Sequence, residues 1–188
     1  MSSDTFFISD LHLFHQNILQ FKETRPFHDV DHMHQHIINT WNAKVPKTAT
    51  VYHLGDISFL KGPDQTPLYN ILNNLNGKIT FLKGNHDHDK KIKAYNEAIE
   101  NGNLRDDLVF EYTPYKEIKV NKEMIVLCHY PIVDWNRQRY GSIHLHGHCH
   151  GTLNLSLDNM MDVGYDPLTK IGIKGPISFE EVRGFFNG

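Results

Sequence analysis

Cysteine is nearly missing from this chain: among 188 residues there are two, Cys128 and Cys149. Two thiols make no disulfide framework, which excludes a stapled secreted scaffold and gives the cytoplasm, a reducing compartment, as the expected location. Charge of one sign is also scarce. Nineteen basic residues against twenty-two acidic ones leave a formal charge of −3, without the basic footprint that holds a nucleic-acid backbone by counterion release. Contact with nucleic acid would be local rather than extended. Long apolar runs are absent too: none approaches the ~20 residues that a bilayer requires, and no basic stretch followed by an apolar core opens the chain. At 39% hydrophobic and 22% charged the composition is that of a globular protein, expected here as one complete, soluble domain over residues 1–188. What the chain has in excess is histidine, with fourteen.

Short apolar runs ending abruptly in polar clusters alternate with helical patterns. Strands are expected over residues 5–9, 50–54 ("TVYHL") and 78–82 ("KITFL"), and helices over 31–44, capped by Asp29 or Asp31, over 67–75 and over 89–100. From Leu108 onward the pattern becomes strand after strand: "LVFEY", "KEIKV", "MIVLC", "SIHLH" and "NMMDV". A last helix over 178–186 carries Ser178 with Glu181 three residues on, the pattern of a capping box. The sum is an α/β chain of two packed sheets with helices outside.

The polar clusters fall where the strands end. The first strand ends in "SDLH" (Asp10, His12), the second in "LGDIS" (Asp56) and the third in "KGNHD" (Asn85, His86, Asp87). Later, "LCHYP" places His129 and "LHGHCHG" places His148 and His150. The crevice beyond strand ends is where α/β sites form, and oxygen and nitrogen donors from independent segments are what a metal centre requires. If those segments are extended, residues two apart face the same way, so that Asp10 with His12, and His148 with His150, would each share an ion. Glycine before Asp56, Asn85 and His148 lets the backbone approach closely. So many donors suit two divalent cations about 3.5–4 Å apart. Such ions repel by on the order of 16 kcal/mol at an effective dielectric of 20, so a carboxylate should bridge them.

Asp-x-His, Gly-Asp, Gly-Asn-His-Asp, a lone His after a strand and Gly-His-x-His, in that order from Asp10 to His150, resemble the calcineurin-like metallophosphoesterase superfamily. The run "HYPIVDWNRQRYGSIHLHGHCHG" further resembles its small single-domain bacterial and phage members, which lack a cap domain. The resemblance implies a four-layer αββα sandwich of two mixed β-sheets flanked by helices. It also implies a ligand set: Asp10, His12 and His150 on one ion, Asn85, His129 and His148 on the other, and Asp56 bridging. His86 would be the general acid beside the leaving group while a metal-bridging hydroxide attacks phosphorus. The donor set suits manganese first, with iron, zinc or nickel as alternatives.

For the remaining candidates the residues themselves give weaker guidance. His32, His34 and His36 fall in a helical pattern and are expected on a solvated face. His15 and Asn17 either point into the pocket or cap the next segment, and His53 either packs or supports a ligand from behind. Cys128 and Cys149 should face away from the adjacent histidines as small apolar fillers. The Asp-Arg pair that protein phosphatases carry after Gly-Asp is missing, and Lys83 stands where they have arginine before Gly-Asn-His. The segment "DWNRQRY" mixes Trp135 and Tyr140 with Arg137 and Arg139: either these groups stack on and pair with a nucleotide, or Trp135 packs in the core and the arginines are solvated. The expected activity is a phosphodiesterase acting on small nucleotide-like esters. A phosphomonoesterase, a metal-dependent nuclease and a non-catalytic scaffold of the same fold are the alternatives.

Overall fold

The computed structural model describes residues 4–155 and 157–186. The first half runs β1 (Thr5–Ile8), α1 (Val30–Lys44), β2 (Thr50–His53), α2 (Thr66–Asn74), β3 (Lys78–Phe81), α3 (Asp89–Glu100) and β4 (Leu108–Phe110). The second runs β5 (Tyr115–Val120), β6 (Glu123–Cys128), β7 (Ile143–His146), β8 (Met160–Asp162), α4 (Tyr165–Lys170), β9 (Ile177–Ser178) and α5 (Phe179–Phe186). Every element expected from periodicity is present, with ends that differ by a residue or two. Helix α4 and strand β9 were not expected, because six residues with Pro167 in the first turn, and a two-residue strand, are too short to show a period.

Local chemistry explains the boundaries. The Asp29 side chain accepts from the His32 amide at 2.8 Å and starts α1. The helix buries Met33, Ile37 and Trp41, one side chain per turn, and stops at Val45, the residue before Pro46. At α5, Ser178 and Glu181 form the expected capping box: the Ser178 amide donates to Glu181 Oε2 at 2.8 Å and the Glu181 amide to Ser178 Oγ at 3.2 Å.

Two sheets result, ordered β4-β3-β2-β1-β9 and β5-β6-β7-β8. β1 through β4 are parallel, with α1, α2 and α3 as the crossovers, and β9 adds antiparallel to β1. In the second sheet β5 and β6 form an antiparallel hairpin, while β6, β7 and β8 are parallel. Both sheets are therefore mixed, and with their flanking helices they make the αββα sandwich. Every residue of β1 is buried, whereas β5 alternates and sets Lys116, Glu117 and Lys119 along an open edge. Among the described residues no helix is long and apolar enough to cross a membrane.

The loops that follow the parallel strands keep pairing. The Asp10 amide donates to Gly55 O at 3.0 Å, that of His12 to Asp56 O at 3.1 Å and that of Gly147 to His129 O at 3.0 Å. The two sheets are stitched together at this same end. The Ser9 amide donates to Val163 O at 3.0 Å and the Tyr165 amide returns to Ser9 O at 2.9 Å. This seam joins the end of β1 to the end of β8.

Candidate metal centre

The seam collects Asp10, His12, Asp56, Asn85, His86, His129, His148 and His150 from strand ends of both sheets. Oxygen and nitrogen atoms of Asp10, His12 and His150 lie within 4.8 Å of one another, as do those of Asp10, Asp56 and His129. Asp56 Oδ2 stands 3.7 Å from His12 Nε2, 3.8 Å from His129 Nε2 and 3.9 Å from His86 Nε2. Asn85 Oδ1 is 2.8 Å from both His129 Nε2 and His148 Nδ1. Two sets of donors thus meet at the pair of carboxylates.

The backbone that delivers them is not the extended one expected from the one-residue spacing. Asp10 and His12 have φ of 58° and 51°, His148 and His150 of 70° and 49°, and Asp56 of 58°. Five residues with Cβ atoms sit in the left-handed region, where an L-residue costs about 1–2 kcal/mol. A left-handed residue curls the chain sharply, so consecutive donors project inward from a turn rather than from one face of a pleat. Clustered strain of this kind marks functional loops. The same packing dictates two glycines. A Cβ on Gly84 would lie inside the contact distance of the Asp56 carboxylate and amide, and one on Gly147 would strike Ser9 Oγ and Asp10 Oδ2.

Do these residues fit divalent ions? Asp10 Oδ1 and both ring nitrogens of His12 are buried with no hydrogen-bond partner, and an orphaned buried polar atom costs about 1–3 kcal/mol. His12 Nε2 is 3.7 Å from Asp10 Oδ1 and from Asp56 Oδ2, too far to hydrogen-bond. Two donors each bound to one ion at about 2.0–2.2 Å lie roughly 3–4 Å apart, so the spacing suits a shared cation. The donor set, nitrogen and carboxylate with one neutral amide, is that of borderline divalent metals.

Surrounding groups aim the ligands. His129 Nδ1 is 2.8 Å from Leu54 O and His150 Nδ1 is 2.7 Å from Asp166 Oδ2, so each ring donates one N–H outward and turns Nε2 inward. Asp166 is held by Arg25, whose Nε and Nη2 reach its two oxygens at 3.0 Å each, and by Thr24. The remaining reach of Arg25 goes to Asp10 O at 2.7 Å and Leu11 O at 2.9 Å. Asp87 accepts from the amides of Asp56 (2.6 Å), Gly84 (2.9 Å) and Ile57 (3.2 Å) and so ties the second and third loops together. Arg25 and Asp166 escaped sequence reasoning. Asp166 comes a few residues after a strand end, as the candidate donors do; nothing local marks Arg25.

Charge follows this geometry. Burial opposes ionisation of Asp10, but the imidazoles of His12, His129 and His150 outweigh it and hold its pKa at about 2. Burial likewise disfavours a charged His150, yet the bond to Asp166 and the Asp10 carboxylate raise its pKa above the ordinary value. For His86, burial and His12 lower the pKa while Asp56 pulls the other way.

The remaining sequence candidates lie elsewhere. His15 stacks on Phe59 at 3.9 Å and forms a wall of the site, its pKa lowered to about 4 by burial and the nearby His12 and His86. Asn17 is exposed on a 3₁₀ turn. His53 is fully buried behind the centre, and its Nδ1 accepts from the Gly55 amide at 3.2 Å. His34 is not on a solvated face: it is buried, and its Nε2 accepts from the Phe14 amide at 2.9 Å. Cys128 is buried and Cys149 half-buried, and neither joins the donor clusters.

The segment from Trp135 to Tyr140 is not brought to the centre. Trp135 is buried, its indole N–H bonded to Ser142, and Arg137 and Tyr140 line a hollow with Lys119, Lys122 and Met124. Those partners cluster about the turn between β5 and β6, whereas His129 follows the far end of β6. Arg139 is exposed on the same turn. The physical reason is the indole, which packs down at the beginning of β7 and carries its neighbours with it.

Comparison with known proteins agrees with this architecture. A family model, calcineurin-like phosphoesterase, matches residues 5–169. Protein MJ1445 of Methanocaldococcus jannaschii is 29% identical over 188 residues, an alignment covering 92% of this chain and 93% of that protein. The gene 66 protein of Mycobacterium phage L5 is 26% identical over 172 residues, covering 82% and 81%. Among solved structures, protein AQ665 of Aquifex aeolicus shares the fold with a TM-score of 0.66 at 21% identity, covering 97% of this chain and 99% of that one. All the donor-bearing strand ends fall inside the matched residues, and the chain belongs to the calcineurin-like phosphoesterases, hydrolases of phosphate esters that work with divalent metal ions.

Proposed function

We propose that the chain is a dinuclear phosphodiesterase acting on small nucleotide-like esters. Asp10, His12 and His150 hold one ion, Asn85, His129 and His148 the other, and Asp56 is shared. The observation that carries this reading is the set of buried, partnerless atoms on Asp10 and His12 beside a carboxylate oxygen that faces three imidazoles. Two divalent ions, manganese first, would supply an activated water and neutralise phosphoryl charge.

The chain's own residues do the rest. His86 Nε2 faces the centre and its ring is 44% exposed, so it can meet the leaving oxygen and pass it a proton. Arg25 is the guanidinium nearest the donors, and it is fully buried and committed to Asp166 and to backbone carbonyls. Among the described residues no uncommitted guanidinium lies beside the donors to add charge for a dianionic monoester, which favours the singly charged diester.

The test is hydrolysis by chelator-stripped protein with manganese returned. Bis-(p-nitrophenyl) phosphate, p-nitrophenyl phosphate and a 2′,3′-cyclic nucleotide are run side by side. Metal-dependent preference for the diester is the expected result. Preference for the monoester would make the chain a phosphomonoesterase, and silence on all three with metal bound would point to a scaffold.

A further inference from the structure

Beside His86 opens a hollow of about 570 Å³. It lies between the loop after β2 and the first turns of α3. One part of its wall is apolar, with Phe59 and Tyr95; the other carries Lys61, Lys90 and Lys91, and no lining residue is acidic. The Lys91 ammonium is committed, donating to Ser58 O at 2.8 Å. Lys61 and Lys90 form no ion pair among the described residues, and Asp89, the acid next to Lys90, is already held by Lys83 at 2.5 Å. Three lysines on the wall of one acid-free hollow give it a positive potential that favours an anion. The Phe59 ring lies 4.5 Å from the ring of His86, so whatever fills the hollow is within reach of the proton donor.

We infer that this hollow holds the leaving half of the substrate, and that this half is a nucleotide: a ring body against the apolar wall, with a phosphate of its own between Lys61 and Lys90. The inference rests on the phosphodiesterase reading above and narrows its substrate. The volume falls in the range of small-molecule sites, about 300–1,000 Å³. In the reaction a water oxygen bonds to phosphorus, the bond from phosphorus to the leaving oxygen breaks, and the proton on His86 goes to that oxygen. The second phosphate is untouched and departs with the leaving half.

The test uses thymidine dinucleotides and the manganese-loaded protein: TpT, which has no terminal phosphate, against pTpT and TpTp, which carry one on either half. Release of two thymidine monophosphates from the preferred compound identifies which oxygen leaves. One phosphorylated dinucleotide should exceed TpT in kcat/KM by at least about tenfold, the worth of one charge-assisted contact, and in the K61A/K90A double variant that ratio should collapse to within about twofold. Both lysines are on exposed loop and helix-start positions, so the variant should fold; the K61E/K90E pair, expected to turn the preference toward TpT, gives an independent reading. Hydrolysis of TpT with no preference for a terminal phosphate, or a preference that survives K61A/K90A, would overturn the inference and leave the phosphodiesterase intact. Failure on all dinucleotides and on bis-(p-nitrophenyl) phosphate would remove both.

Discussion

Two buried histidines, His144 in the body of the second sheet and His12 at the seam, have the same side chain and opposite surroundings. His144 lies in β7 with Nε2 accepting from the Ile132 amide at 3.0 Å and Nδ1 set 3.1 Å from Val126 O. His12 is as well shielded from water, yet neither ring nitrogen has a partner. Burial alone therefore says nothing of function. A histidine whose nitrogens are both committed to backbone is packing; one left unsatisfied beside two carboxylates waits for a cation.

The comparison can be broken in order of expected effect. At the seam, His86→Ala should lower kcat by about 10²–10⁴-fold while leaving manganese affinity within about twofold, measured by turnover and by calorimetric titration. Asp166→Asn removes the charged partner of His150 without touching an ion, and should weaken metal affinity by about 10–100-fold with an unchanged circular dichroism spectrum. An unaltered dissociation constant would show that Asp166 is only packing. In the sheet body, His144→Ala should instead cost about 1–3 kcal/mol in urea unfolding, because it strips the Ile132 amide of its acceptor, and metal affinity should not move.

Acid should expose the same contrast. Burial lowers the pKa of His144 from 6.5 to about 4, so the folded state keeps it neutral where the unfolded chain would take a proton. The sign is fixed: its contribution to stability is whole above pH 6.5 and is lost progressively as the pH falls toward 4. The metal-free protein should show a melting temperature that declines across that window, and the decline should shrink in His144→Gln. The smallest effect is expected far from the seam. Arg137→Ala with Tyr140→Ala should change kcat/KM for any diester by less than about twofold, since among the described residues no hydrogen bond or ion pair joins Arg137 or Tyr140 to the centre. A larger loss would return the segment to substrate binding.

What the chain disclosed in advance was local. Each donor follows a short apolar run within a few residues, so Asp10, Asp56, Asn85, His129, His148 and His150 could be named from neighbours alone, and the fold class followed from alternating periods. What stayed hidden was long-range or conformational. Arg25 and Asp166 meet across 141 residues of chain, and no spacing rule connects them. The left-handed turns at Asp10 and His150 leave no mark in residue type, which is why a pleat was expected. Trp135 through Tyr140 stayed open between two readings for another reason. Composition reports what a segment could bind, whereas the packing of one indole decided where the segment lies.

The stitching of β1 to the far end of the chain has a consequence for when the centre can exist. Asp10 stands early in the chain, but what fixes it comes much later: the Arg25 that holds its carbonyl is anchored by Asp166, and β1 gains its outer neighbour only at Ile177–Ser178. Contacts this distant in sequence form late. The cradle around Asp10 is thus complete only once β1 has paired with β9, and a cation is expected to enter after that pairing has formed.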